Sequence, residues 1–219
     1  NVDNLIFIST CSNYGLIGED ELANESFKLN PLSLYAKAKV AAEEYLLSKK
    51  GKVAYTATVL RFATAFGLSP RMRFDLSVSE FARDLFFGEE LVVFDEHTWR
   101  PYCHVRDFAR LIDLVLKAEK NKVDFEVFNA GGDINNKTKK MIVDSICQYL
   151  PDVKVKYTAN GSDPRNYKVN FHKVKSVLGF EPIYTVEMGV IELIEALEIK
   201  VFADSLKNKE GYGNYQINY

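Results

Sequence analysis

The chain is poor in the residues that build metal centres and disulfide frameworks. Its three cysteines, Cys11, Cys103 and Cys147, are odd in number and far apart, so reduced thiols in a cytoplasmic setting are expected rather than a disulfide scaffold. The three histidines, His97, His104 and His172, share no ligand spacing with them, and no metal is expected. No apolar run is long enough to span a bilayer and no cleavable signal pattern is visible, so no membrane partner is expected. An excess of one charge is lacking too. The 28 Lys and Arg against 30 Asp and Glu leave a net charge of −2, which provides no pull toward nucleic acid. Finally, no G-x-G-x-x-G occurs in the 219 residues, so the turn that would cradle a dinucleotide pyrophosphate is not written in them.

What is present is concentrated near the start. Leu5-Ile6-Phe7-Ile8 is a short continuous apolar run that reads as a strand buried on both faces, as in a parallel sheet. It ends at Ser9-Thr10-Cys11-Ser12-Asn13-Tyr14-Gly15, and Pro31-Leu32-Ser33-Leu34-Tyr35-Ala36-Lys37-Ala38-Lys39 follows at the head of a helix expected over 36–47. One turn separates Tyr35 from Lys39, so phenol and ammonium share a helix face. A neighbouring cation favours the phenolate, which suits such a pair to proton transfer.

These two segments resemble the active-site region of the extended short-chain dehydrogenase/reductases, the NAD-dependent nucleotide-sugar epimerase/dehydratase family, whose members carry S-[ST]-x-x-x-Y-G and then P-x-x-x-Y-x-x-x-K. The resemblance continues downstream. Leu60-Arg61-Phe62-Ala63-Thr64-Ala65-Phe66-Gly67 is similar to the family's L-R-x-x-N-x-x-G, with Thr64 where asparagine is usual. Arg100-Pro101-Tyr102-Cys103-His104-Val105-Arg106-Asp107 is similar to the segment before its next helix, with Asp107 expected as cap and His104 as an orienter of backbone. Phe128-Asn129-Ala130-Gly131 matches the strand that closes the main sheet, and Arg165, Asn170 and Lys173 lead to Leu178-Gly179-Phe180-Glu181-Pro182.

The fold class implied is α/β: a Rossmann-like doubly wound parallel sheet, incomplete at its N-terminal side, with a smaller α/β substrate-binding domain. In the family roughly a hundred residues precede this point, and the chain is expected to be the C-terminal two thirds of a longer protein. Residues 1–67 and 97–132 are expected in the dinucleotide-binding domain, and 68–96 and 133–219 in the substrate-binding region, the polar stretch 207–219 being a mobile or surface-draped tail. Between them run helices expected near 78–86, 108–116, 138–150 and 186–203, with Met141, Ile142, Ser145, Ile146 and Tyr149 on the buried side of the third.

The resemblance also implies roles. Thr10, Tyr35 and Lys39 are the expected catalytic residues. Ser9, Phe62, Tyr35 and Lys39 are expected at the cofactor, NAD with NADP left open. Cys11, Ser12, Thr64, Arg71, Arg73, Arg100 and Arg165 are expected at a nucleotide-diphosphate sugar, the arginines because a guanidinium grips a diphosphate with paired hydrogen bonds. Dehydratases of the family place Asp-Glu directly after the threonine. Cys11-Ser12 supplies no carboxylate, so epimerisation through a keto sugar is expected, with an NADPH-dependent keto-sugar reductase or a non-catalytic binding relative as alternatives. A homodimer through the helix 36–47 is also expected.

Overall fold

The computed structural model describes residues 2–18, 20–208 and 210–213. The first half of the chain forms β1 (Asn4–Thr10), α1 (Leu34–Leu47), β2 (Thr56–Phe62), β3 (Thr64–Phe66), α2 (Ser77–Phe86), β4 (Leu91–Phe94), β5 (Trp99–His104) and α3 (Val105–Lys117). The second half forms α4 (Lys120–Val123), β6 (Glu126–Ala130), β7 (Asn136–Thr138), α5 (Lys139–Cys147), β8 (Val155–Thr158), α6 (His172–Leu178) and α7 (Val186–Glu198).

The apolar runs become central strands because both of their faces find helices. Strands β1, β2 and β6 lie side by side, all parallel, with β2 in the middle. Alternation then sorts the side chains. Leu5, Phe7, Ala57, Val59 and Val127 pack with Leu46 of α1 on one face, while Ile6, Ile8, Leu60 and Phe128 pack with Leu111 and Val115 of α3 on the other. This is a Rossmann-like open sheet.

A second layer gathers beside it. Strand β3 pairs in parallel with β5, which takes β7 antiparallel, and β4 pairs in parallel with β8. Helices α2, α5 and α7 bury Phe81, Leu85, Ile142, Ile146, Val190 and Leu193 in a core of their own, joined by Phe66 of β3 and Tyr102 of β5. These extra sheets and helices make up the smaller subdomain.

Several boundaries move from their sequence expectation, each for a local reason. The strand after α1 begins at Thr56, where its N–H meets Asp3 O at 2.8 Å. Helix α1 starts at Leu34, two residues early, because Ser33 Oγ accepts the Ala36 N–H. Helix α5 stops at Cys147, and Met141 and Tyr149 are 41% and 44% exposed: Met141 is one residue off the Ile142–Ile146 stripe, and Tyr149 lies past the helix end. Helix α7 ends at Glu198 rather than 203, followed by Lys200 in the left-handed region at φ 63°. The cap of α3 is His104, whose Nδ1 accepts the Arg106 N–H, and not Asp107. Asp107 is fully buried and accepts instead from the backbone N–H groups of Ile183 and Tyr184, tying the 181–184 segment to α3.

The polar loop between Gly15 and Pro31 is stitched down by parallel bridges from Leu16 to Asn166 and from Ala23 to Val169. Of the stretch 207–219, residues 209 and 214–219 lie outside the described residues. Tyr212 is draped over the molecule, with its ring against Phe74 and Phe202 and its carbonyl accepting the Phe74 N–H.

Candidate active site

The carboxyl ends of β1 and β2 open onto a cavity of about 950 Å³ between the main sheet and the smaller subdomain. Open parallel sheets bind ligands at this end because the strands stop there and their loops diverge.

On the sheet side stand Ile8, Ser9, Thr10 and Ser12 from β1 and its following turn, and Phe62, Ala63 and Thr64 from β2 and β3. Thr10 is nearly buried, and its hydroxyl accepts the Ser12 N–H at 3.1 Å, capping the tight turn Cys11–Tyr14. Tyr35, in the first turn of α1 and 56% exposed, borders the same cavity. Lys39 stands behind it. Its Nζ lies 5.7 Å from the Tyr35 ring centroid and 5.0 Å from that of Phe7, and it donates to Ile8 O at 2.7 Å. The ammonium is thereby fixed between the strand and the tyrosine. Phe62 is held flat by Phe108, with ring centroids 3.7 Å apart.

The opposite wall carries the arginines. Arg100 is 7% exposed, lies 5.0 Å from the Tyr167 ring centroid and gives Nη2 to Asp163 at 3.1 Å. Arg165 grips the same carboxylate with Nε and Nη2 at 2.8 and 2.7 Å, and its Nη1 reaches Ser12 Oγ at 3.4 Å. Burial would raise the Asp163 carboxyl, but the hydrogen bonds from Arg165 and the charge of Arg100 outweigh it and hold that group well below the usual carboxylate range. Lys139 adds a cation to this wall and donates to Phe94 O at 2.6 Å; burial and the Arg100 charge lower its affinity for a proton. Arg73 also borders the cavity, paired with Asp75 at 2.6 Å.

Two tyrosines line the floor with no counterpart in the sequence expectation. Tyr102 shares a hydrogen bond with Ser77 Oγ at 3.0 Å, and burial pushes its phenol up to about 12. Tyr167 meets Ser12 Oγ at 3.2 Å. Burial raises both phenols, so both hydroxyls stay neutral near neutral pH. Asp163, Lys139 and these tyrosines were hidden because no spacing rule links them to Tyr35.

The fold thus brings Ser9, Thr10, Ser12, Tyr35, Phe62, Thr64, Arg73, Arg100 and Arg165 to one cavity. It does not bring the remainder to its wall. Arg71 is exposed and outside the lining. Cys11 points into the core: it is 1% exposed, its thiol donates to Arg61 O at 3.1 Å, and burial drives its pKa far up. Ser9 borders the cavity, yet its hydroxyl is given to the buried carboxylate of Glu43. Among the described residues no group of His, Cys, Asp and Glu is arranged to hold a metal ion, and no helix is long and apolar enough to cross a membrane.

On the sheet-side wall Tyr35 stands with the apolar Ile8 and Phe62, while Lys39 lies behind Tyr35 and outside the lining, its ammonium fixed on Ile8 O. The arginine wall fits an anion.

The sequence model described as "NAD dependent epimerase/dehydratase family" matches residues 1–131. An uncharacterized protein of Schizosaccharomyces pombe is 28% identical over 227 residues, covering 88% of this chain and 60% of its own length. Among solved structures, the dTDP-glucose 4,6-dehydratase of Bacillus anthracis in complex with NAD is 28% identical, with a TM-score of 0.78 over 90% of this chain and 62% of its own. The UDP-glucose 4-epimerase of Thermotoga maritima with UDP-glucose is 27% identical, with a TM-score of 0.80 over 92% and 65%. The chain spans about 60% of the length of the relatives it matches.

Proposed function

The chain belongs to the NAD dependent epimerase/dehydratase family, and from that premise we propose that it carries the acid/base and substrate half of an NAD-dependent epimerase acting on a nucleoside-diphosphate sugar through a transient keto sugar. The observation that carries this reading is the convergence of Thr10 and Tyr35 with Arg100 and Arg165 on a single cavity.

When bound, NAD would accept a hydride from the sugar carbon and return it. The chain's own residues manage the proton. Tyr35 would take the proton of the sugar hydroxyl as the carbon loses hydride, and give it back when the hydride returns to the other face. Thr10, which lines the same cavity, would hydrogen-bond the same oxygen as it becomes a carbonyl. Lys39, braced by Ile8 O, holds positive charge beside the phenol and has further N–H donors for a ribose hydroxyl. The pyrophosphate of NAD has no glycine-rich seat among these residues.

Arg100 and Arg165 would take the substrate diphosphate, with the neutral Tyr102 and Tyr167 as further donors. Dehydration is the weaker reading even though dehydratases are among the relatives. Cys11, directly after Thr10, is sealed in the core and Ser12 carries no charge, so no acid stands where that elimination needs one. The strongly exposed Leu34 and Tyr45 of α1, at 83% and 66%, support the homodimer expected through that helix.

Replacing Tyr35 with Phe tests the reading. Turnover of a UDP- or dTDP-sugar should fall at least about a hundredfold, the usual worth of a positioned acid/base, while UDP affinity stays unchanged. Surviving turnover sinks the mechanism, and stoichiometric NADPH consumption would turn the assignment to a reductase.

A further inference from the structure

Behind the cavity wall lies a charged cluster that the mechanism above does not use. Glu43 sits on α1, four residues after Lys39 and eight after Tyr35, so it follows them along one flank of the helix. It is 1% exposed. A buried carboxylate is tolerated only when it is paired and fully hydrogen-bonded, and this one is. Arg61, 5% exposed, grips it with Nε at 3.1 Å and Nη2 at 2.8 Å. Asn13 Nδ2 donates to it at 2.8 Å, and the Ser9 hydroxyl donates to the same oxygen. Arg61 extends the network through Nη1 to Tyr14 OH at 3.0 Å, and that hydroxyl donates to Asn129 Oδ1 at 2.7 Å.

The partners bracket the proposed site. Ser9 immediately precedes Thr10, Asn13 and Tyr14 belong to the turn that Thr10 caps, and Arg61 immediately precedes Phe62. One carboxylate on the helix of Tyr35 and Lys39 therefore grips the Thr10 segment on both sides and the neighbouring strand as well. We propose that Glu43 is a positioning residue for the acid/base pair: through Ser9, Asn13 and Arg61 it sets the distance between the Thr10 hydroxyl and the Tyr35 phenol. The inference rests on the functional reading above. A misplacement near 1 Å is enough to lower a rate by about a hundredfold, so the clamp would act on the chemical step, whereas the arginine wall has a single tie to the clamped turn, Arg165 Nη1 to Ser12 Oγ at 3.4 Å.

Two variants test it in the full-length protein. Glu43→Gln keeps the side-chain shape and an acceptor for Ser9 and Asn13 but loses the charge that orders Arg61. Glu43→Leu with Arg61→Met removes the ion pair and refills its volume, a type of exchange that often leaves stability intact. Either variant, once circular dichroism shows it folded, should lose about tenfold to a hundredfold in kcat, with KM for the nucleotide sugar and UDP affinity within about twofold of wild type. Hydrogen exchange should accelerate in residues 9–14 and 34–47 and not in α5 or α7. A folded variant with wild-type kcat overturns the proposal, as does a parallel loss of UDP affinity, which marks a merely structural role. If the wild-type protein turns over no nucleotide sugar, the functional reading fails; exchange in the two segments then decides the clamp, and unchanged protection overturns it.

Discussion

Single residues here are defined by whom they meet. Asp163 holds two arginines that are both also suited to a ligand phosphate, so it competes with any anion entering the cavity. Replacing it with Asn should tighten UDP binding by about two- to fivefold, the scale of a partly exposed ion pair worth about 0.5–1 kcal/mol; isothermal titration would read this, and weaker binding would mean that Asp163 aims the arginines instead. The same residue makes an acid prediction. Its carboxyl is held below its ordinary value, so its contribution to stability is complete above that value, about pH 3.9, and fades as the pH falls toward the depressed one. The gap between wild-type and Asp163→Asn urea midpoints should therefore shrink below about pH 4. Residues such as Tyr35 and Thr10 were legible in the sequence because their partners lie within one turn or one strand end. Glu43 was not: its partner Arg61 is 18 residues away on another element, and nothing in a helix of Ala, Lys and Glu marks one glutamate as buried.

Elements were legible where periodicity is local, and their ends were not. Strand β1 announced itself as a continuous apolar run, while the limits of α1, α5 and α7 followed from a serine cap, a threonine cap and a left-handed residue. Two glycines show how tightly elements meet. Gly67, at φ +96°, leaves β3 in a conformation that suits glycine, and a Cβ there would lie 2.1 Å from His104 Nε2, which pairs with Glu192. Gly189 lets α7 approach β3: a Cβ would fall 2.4 Å from Phe66 Cδ2. Because Phe66 is 2% exposed and cannot retreat, Gly189→Ala should destabilise the protein by about 1–3 kcal/mol through overpacking, read as a lower urea midpoint. An unchanged midpoint would show that the core yields at this contact.

At the scale of the molecule, two cores flank one cavity, and a ligand gripping both walls ties them together. A nucleoside-diphosphate sugar should therefore raise the unfolding temperature with concentration, gaining about 2.7 kcal/mol at a hundred times its Kd; Arg100→Ala with Arg165→Ala should abolish the shift in a thermal scan. By itself the sequence determined the buried parallel strand that ends at Thr10 and the shared helix face of Tyr35 and Lys39, because a continuous apolar run and a four-residue helical spacing are both local signals. Only the tertiary structure decided that Cys11 faces the core, that Ser9 serves Glu43 and that Asp163 sits between Arg100 and Arg165. Those outcomes depend on which distant segments pack together, and burial makes each buried polar group seek the partner that the packing puts within reach.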